Sequence, residues 1–367
     1  MAMDASKIDK MPWTFLAAMA VALVFLALKF LHLLPEQNAA LIAVEAVLLG
    51  AAVFSAVHHA EILALKAGEP LGSIVLALAV TVIEAALIIS QMSSGHGGAE
   101  FIGRNTVYSG VMIVLNGVVG LCLVAGGARH GEQSFRLDGA TAALSVLATL
   151  ACLALILPNY TLAAEGPYYS IAQLGFVGVV SLILYSVFVF VQTVLHRDYF
   201  VIADDEDENP SHAKPSARTT LISCLMLPVS LVVVVLVAKA LTGPIDEMIA
   251  AAGLPAGFVG VVIALLVLLP EGMAAVQAAR INHLQTSLNL ALGSAIATIG
   301  LTIPTLAAYS IWTGSQLALD LSNASTALLI LTIFVSSVTL ATGRTTVLQG
   351  AVHLVIFGVF LFLSAFP

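Results

Sequence analysis

Residues 76–90 read LALAVTVIEAALIIS and residues 261–276 read VVIALLVLLPEGMAAV, two apolar runs that each carry one glutamate, Glu84 or Glu271, near the middle. Both runs have the character of membrane spans. A carboxylate at the centre of a bilayer costs on the order of 3 kcal/mol or more, so it is kept only with a partner, a water-filled cavity or an ion. Two such groups in matching runs point to one shared site.

The rest of the chain agrees with a bilayer. Of 367 residues, 60% are hydrophobic and 9% charged, and the mean hydropathy is +1.06; the chain reads as an integral membrane protein. The runs lack period-2 alternation and are of helical rather than barrel-strand length, so the fold class is all-α and polytopic. Counting gives eleven spans, at roughly 12–34, 38–58, 71–92, 105–126, 138–158, 169–195, 217–241, 255–279, 284–309, 320–342 and 345–366. The first begins behind Lys7 and Lys10 without a small-x-small cleavage site and is read as an uncleaved helix. Cys122, Cys152 and Cys224 lie within apolar stretches and form neither a disulfide framework nor a CxxC metal site.

Orientation follows the Lys and Arg residues. With the N-terminus in the cytoplasm, Lys7, Lys10, Lys66, Arg129, Arg136, Arg197, Lys214, Arg218, Arg280 and Arg344 fall inside, and Lys29, Arg104 and Lys239 outside. This places the protein in the cytoplasmic (inner) membrane with its C-terminus outside. The longest hydrophilic loop then lies inside and carries Asp204, Asp205, Glu206, Asp207 and Glu208. That run reads either as a solvated linker or as a cation-attracting mouth.

The loop divides the chain into residues 1–36 (a tail and the first helix), a five-helix half at 37–196, a linker at 197–216 and a second five-helix half at 217–367. Each half has a Glu-bearing span followed by one with a polar stripe. In the first the stripe is Asn105, Ser109, Met112, Asn116 and Gly120, spaced to share one helical face. A shift of 182 residues gives Ser287, Ala291, Ser294, Thr298 and Thr302, whereas matching Gly120-Leu121 to Gly300-Leu301 needs 180. Glu84 falls in the third span and Glu271 in the eighth, five spans apart, so the halves cross in opposite directions. This is an inverted repeat, with the site expected at the midplane.

Local chemistry favours a hard cation. Pro270 has no amide hydrogen, which frees the carbonyl one turn earlier, at Leu266. Thr81 lies one turn before Glu84, and Gln91 two turns after it. Carboxylate, hydroxyl, amide and carbonyl oxygens suit Ca²⁺ or Na⁺ rather than a soft metal. His58, His59 and Glu61, in the motif HHAE, read as a surface cluster or as a gate that titrates near neutral pH. Asn289 and its neighbours Asn282 and Gln285 fall at the inner mouth of the ninth span, and Glu45 at an outer vestibule or the interface. His32 and His353 read as lone histidines of outer spans with structural or interfacial roles.

Three stretches carry a family resemblance: HHAEILALKAGEPLGSIVLALAVTVIEAALI (58–88), VYSGVMIVLNGVVGLCLVAGG (107–127) and LLPEGMAAVQAARINHLQTSLNLALGSAIATIGLTIP (268–304). The chain resembles the cation/proton exchanger branch of the Ca²⁺/cation antiporter superfamily, in its bacterial ChaA-type form. The resemblance implies that Glu84 and Glu271 bind cation and protons, that Glu61 lines the access path, that an acidic helix follows the first half, and that the first helix is peripheral to the two five-helix repeats. Where the Ca²⁺/proton exchangers carry Gly-Asn ahead of each glutamate, this chain has Val80-Thr81 and Val267-Leu268. Their Gly-Ser pair is kept as Gly293-Ser294 but is Val111-Met112 in the first half, and their second-half Gln is Ala297.

The expected function is exchange of a hard cation, first of all Ca²⁺ and alternatively Na⁺ or K⁺, for protons. The expected cation and proton site is Glu84, Glu271, Thr81, Asn116, Ser294 and Thr298, with the Leu266 carbonyl. Access residues are Glu61, His58, His59, Ser109, Asn105, Ser287 and Asn289. An empty dianion is the costly state, whereas two protons, one Ca²⁺, or one proton with one Na⁺ leave the pair neutral. No cofactor is expected; the partners are inorganic cations, protons and the lipid bilayer, with no nucleic acid. A membrane metalloenzyme needs several His boxes and only HHAE occurs, and a channel does not need an inverted repeat.

Overall fold

Apolar runs in a bilayer must satisfy their own backbone hydrogen bonds, and the computed structural model answers with helices throughout. It describes residues 13–33, 39–68, 71–93, 99–163, 168–200 and 215–367. The helices are α1 (Trp13–Phe30), α2 (Ala39–Ala67), α3 (Leu71–Met92), α4 (Ala99–His130), α5 (Leu137–Tyr160), α6 (Ile171–Leu195), α7 (Ala217–Ala251), α8 (Phe258–Arg280), α9 (Leu284–Thr313), α10 (Asn323–Leu340) and α11 (Val347–Ala365). Ten of these, α2 to α11, are long and apolar enough to cross a membrane; the described apolar part of α1 is shorter.

Three helices depart most from their expected ends. α2 continues past residue 58 to Ala67, α4 is extended at both ends, and α7 runs on from 241 to Ala251. Polar residues close an apolar window without breaking a helix. α2 stops only where Gly68 adopts a φ of 70° and bonds the Ala64 carbonyl at 2.9 Å. α7 carries Pro228 and Pro244 in its interior, and Thr242 just before the second donates to the Ala238 carbonyl at 3.0 Å.

The two halves match in detail. Glu84 and Glu271 are each the fourteenth residue of their helix. α4 and α9 each contain a π-helical turn, Ile113–Val118 and Thr298–Thr302. α6 and α11 each open on a capping box, Ser170 with Gln173 and Thr346 with Gln349. On one face β1 (Gln133–Ser134), between α4 and α5, pairs antiparallel with β2 (Arg344–Thr345), between α10 and α11. On the other, Tyr168 between α5 and α6 bridges Ala318 between α9 and α10. Burial pushes the neighbouring Tyr169 hydroxyl up to about 12, with Cys152 adding to the shift, so it stays a donor to the Leu153 carbonyl at 2.7 Å.

The same contacts sort the described basic residues. His130 reaches the Arg280 carbonyl, Arg344 pairs with Glu132, and Lys66 donates to the Pro215 carbonyl on one face. Lys29 with Glu45 and Arg104 with Asp320 lie on the opposite one.

Packing forms two bodies. A smaller core joins α1, α2, α3 and α7 and includes Val259, Ile263 and Val267 of α8. A larger one joins α4, α5, α6, α9, α10 and α11 and includes Ile88 of α3 and Val261, Ala264 and Leu268 of α8. The two glutamate helices therefore run along the boundary between the bodies.

Small residues let helices meet closely in lipid. At the α4–α11 crossing a Cβ on Gly350 stands 2.8 Å from the Gly120 carbonyl oxygen and 2.7 Å from Val124 N, whereas one on Gly358 meets nothing within 4 Å. Gly350→Leu is expected to cost at least about 1–3 kcal/mol through overpacking. It should lower the thermal unfolding midpoint in detergent by several degrees, while Gly358→Leu leaves it near wild type.

Candidate functional site

The site is built on α3 and α8 and completed by α9. Glu84 is 4% exposed, and Ile83 and Leu87 beside it pack into the smaller core. Thr302, fully buried in the π turn of α9, donates to Glu84 Oε2 at 3.1 Å. Thr298, at the other end of that turn, is a second hydroxyl donor to the same carboxylate. Where it crosses α4, a Cβ on Gly110 stands 3.3 Å from Thr298 Cγ2 and 3.8 Å from Leu268 of α8. Elements of both halves thus converge at one level.

Glu271 has different company. It is half-buried, and its Oε2 is shielded from solvent without a hydrogen-bond partner among the described residues. It lies within electrostatic reach of Glu84 and of Glu61 on α2. Pro270 sits inside α8, so no amide hydrogen returns to the Leu266 carbonyl. A carboxylate oxygen without a donor, a second carboxylate, hydroxyls and a freed carbonyl are an all-oxygen set. That is the chemistry of a hard cation or a proton, and no cluster of His, Cys, Asp and Glu able to hold a metal occurs among the described residues.

The structure distributes the other expected residues as follows. Thr81 is buried on α3 one turn before Glu84, and Ser294 is half-buried on α9 one turn before Thr298. Asn116 is bonded to α10 and α11: its Nδ2 donates to Thr332 of α10 at 2.9 Å, and its Oδ1 faces His353 Nδ1 of α11 at 3.2 Å. Asn105 lies on the opposite face from Arg280, accepting from Arg104 Nε at 3.1 Å. Ser109 is buried in α4, and Ser287 lies against Cys122.

Asn289 and Gln285 form a network on the face of Arg280. Gln285 donates to Asn289 at 2.9 Å and accepts from the Arg136 amide at 2.6 Å, while Asn289 donates to the Phe200 carbonyl. His59 meets Ser223 of α7 at 3.1 Å, and the His58 ring packs 4.9 Å from Phe15 of α1. Glu45 pairs with Lys29 of α1, which also donates to the Ala240 carbonyl of α7 at 3.2 Å. The acidic run Asp204 to Glu208 lies outside the described residues.

The residue with the clearest geometry, Thr302, stands in the polar stripe but outside the expected ligand set. Its signal was its position four residues after Thr298. His353 was read as a lone histidine with a structural or interfacial role; it is 1% exposed and belongs to a polar cluster. Removing the Thr302 hydroxyl leaves Glu84 short of one donor, a loss of about 1–3 kcal/mol for a charged acceptor. Thr302→Val is therefore expected to change the half-saturating cation concentration by about tenfold. Thr305→Val, which removes only a bond to the Leu301 carbonyl, should leave it unchanged.

Comparison with known proteins gives a consistent set of relatives. The family model for sodium/calcium exchanger proteins matches residues 37–194 and 222–366, which leaves α1 outside it. The chain is 54% identical over 345 residues to y4hA of Sinorhizobium fredii (strain NBRC 101917 / NGR234), covering 94% of each protein. It is 36% identical over 311 residues to the sodium-potassium/proton antiporter ChaA of Escherichia coli (strain K12), covering 84% of each. The solved structure of native YfkE matches with a TM-score of 0.75 at 17% identity, over 96% of this chain and 100% of that one. The crystal structure of the H⁺/Ca²⁺ exchanger CAX matches with a TM-score of 0.71 at 16% identity, over 98% and 89%. At these identities the two structures carry the fold alone.

Proposed function

The chain belongs to the sodium/calcium exchanger protein family and is a membrane-spanning cation antiporter rather than an enzyme, and we propose that it exchanges Ca²⁺ for protons by alternating access at the Glu84–Glu271 pair. One observation carries this reading. Two carboxylates from opposite halves lie within electrostatic reach of each other on helices at the boundary of two packed bodies, one of them with an unpartnered oxygen. Motion of one body against the other would expose such a site to either side in turn.

Charge decides the coupling. Two ionised glutamates with nothing bound place two like charges in a low dielectric, the state least able to cross. Two protons neutralise the pair, and so does one Ca²⁺. The site therefore changes sides only when loaded, and each cation that crosses is answered by protons. Thr298, Thr302 and Thr81, with the Leu266 carbonyl, supply neutral oxygens for a cation that takes six to eight, at about 2.3–2.6 Å. Glu61, His58 and His59 are proposed to line the path on the Arg280 face, which we assign to the cytoplasm.

A second reading, Na⁺ or K⁺ for protons, is favoured by two observations. The ChaA relative is a sodium-potassium/proton antiporter. Thr81 and Leu268 stand where Ca²⁺/proton exchangers carry amides, leaving fewer strong oxygen ligands for a divalent ion. Here one proton and one Na⁺ neutralise the pair together.

Reconstituted vesicles with an acidic lumen should take up the transported cation as protons leave. The exchange ratio should be about two protons per Ca²⁺, or about one per Na⁺ or K⁺, and in each case insensitive to membrane potential, since every loaded form is neutral. Glu84→Gln and Glu271→Gln should each abolish cation-dependent proton flux. Retention of that flux in either variant would rule the pair out, and a potential-driven conductance without proton movement would point to a channel.

A further inference from the structure

The polar cluster around His353 is not explained by ion binding, and it lies directly behind the π turn of α4. His353 faces Asn116 Oδ1 through Nδ1 at 3.2 Å and Thr339 Oγ1 through Nε2 at 3.2 Å. Asn116 Nδ2 already donates to Thr332 at 2.9 Å. Its Oδ1 is therefore the accepting end, the ring nitrogen facing it must carry the proton, and Nε2 is left to accept from the Thr339 hydroxyl. A neutral imidazole with its proton on Nδ1 satisfies every partner, and the Leu115 carbonyl inside the π turn faces the same ring.

α11 holds that turn by shape as well. A Cβ on Gly117 stands 3.3 Å from the Phe357 ring, and one on Gly120 stands 3.1 Å from His353 Cβ. The far side of the turn bears on the ion site: Val118 Cγ2 lies 3.2 Å from the Cβ position of Gly272, the residue after Glu271. A continuous line of contacts thus runs from His353 through Asn116 and the π turn to Val118, Gly272 and Glu271. Glu84 has no need of such a line, because Thr302 grips its carboxylate directly.

We propose that His353 is a positioning residue for cation exchange, acting through Asn116 and the α4 π turn to set where Glu271 stands. The inference rests on Glu271 being a cation ligand, as argued above. It makes Asn116 a member of the brace rather than a ligand in the arrangement seen here. Removing the His353 bond loosens Glu271 and weakens cation binding, with less effect on turnover once the site is filled.

The test uses the full-length protein in vesicles, with binding of radiolabelled Ca²⁺ and Na⁺ and initial rates of exchange as separate readouts. His353→Leu is expected to raise the half-saturating cation concentration about 3- to 10-fold, the worth of one net hydrogen bond, while the maximal rate changes less. His353→Asn places an amide N–H near the Nδ1 position and should recover most of the loss. In an Asn116→Ala background His353→Leu should add little, whereas its effect should add fully to that of Thr302→Val.

Should His353→Leu not fold, Thr339→Val, which removes only the hydroxyl that holds Nε2, should give a smaller shift in the same direction. An unchanged half-saturation in the Leu variant overturns the proposal. So does an effect that persists undiminished without Asn116, or an Asn variant as impaired as Leu. Cation binding by the wild type without proton flux counts against the exchange reading, and the His353 variants are then judged on binding alone. No cation binding by the wild type overturns both.

Discussion

A carboxylate at mid-depth in a bilayer persists only while its charge is solvated by donors or cancelled, and the architecture follows from meeting that condition twice at one place. A single buried glutamate can be met by hydroxyl donors, as Glu84 is by Thr298 and Thr302. A second within electrostatic reach cannot be ionised cheaply beside the first unless something positive arrives. In the exchange we propose, the pair is thereby poised between protons and a cation. Fixed donors around one member and an open oxygen on the other leave that exchange as the remaining freedom.

For such a pair to face both sides of a membrane in turn, as we propose, the two glutamate helices need like frameworks run in opposite directions, not identical partners. The pairing of loops meets this requirement: β1 with β2 on one face answers Tyr168 with Ala318 on the other. The π turns of α4 and α9 answer each other in the same way, whereas those at Cys152–Ile156 in α5 and Val191–Leu195 in α6 have no counterpart in α10 or α11. A π turn widens the helix and releases it from strict i to i−4 pairing, a feature that recurs at functional sites. The cost of the irregular backbone is borne where side chains from the facing half can grip it.

How much of this could be read from residues alone divides along one physical line. Helix number and type were legible because about 20 apolar residues have no other use in a chain of this composition. Helix ends were less so, because Gly68 and the caps end helices, and polar residues such as Glu61 do not. The nearness of Glu84 and Glu271 was legible because the cost of each is local and the two call for one shared place. Their partners were not, because the stripe from Asn105 to Gly120 was laid out on an uninterrupted 3.6-residue helix, and the turn at Ile113–Val118 breaks that period. Asn116 consequently points to α10 and α11.

The halves are alike in outline and unlike in how they hold their glutamate, and the second fact bears on mechanism. Glu84 is held at its carboxylate by hydroxyls from the opposite half, so its oxygens are oriented before any ion arrives. Glu271 is held through its backbone, by Val118 against Gly272, and keeps one oxygen unpaired. In the exchange we propose, an entering ion meets one carboxylate already aimed and another free to close on it. Strict symmetry would either satisfy both glutamates without a ligand, leaving little gain from binding, or satisfy neither, leaving an empty site too costly to hold its shape. Divergence between Thr298 on α9 and Asn116 on α4 avoids both outcomes within a fold that otherwise repeats itself.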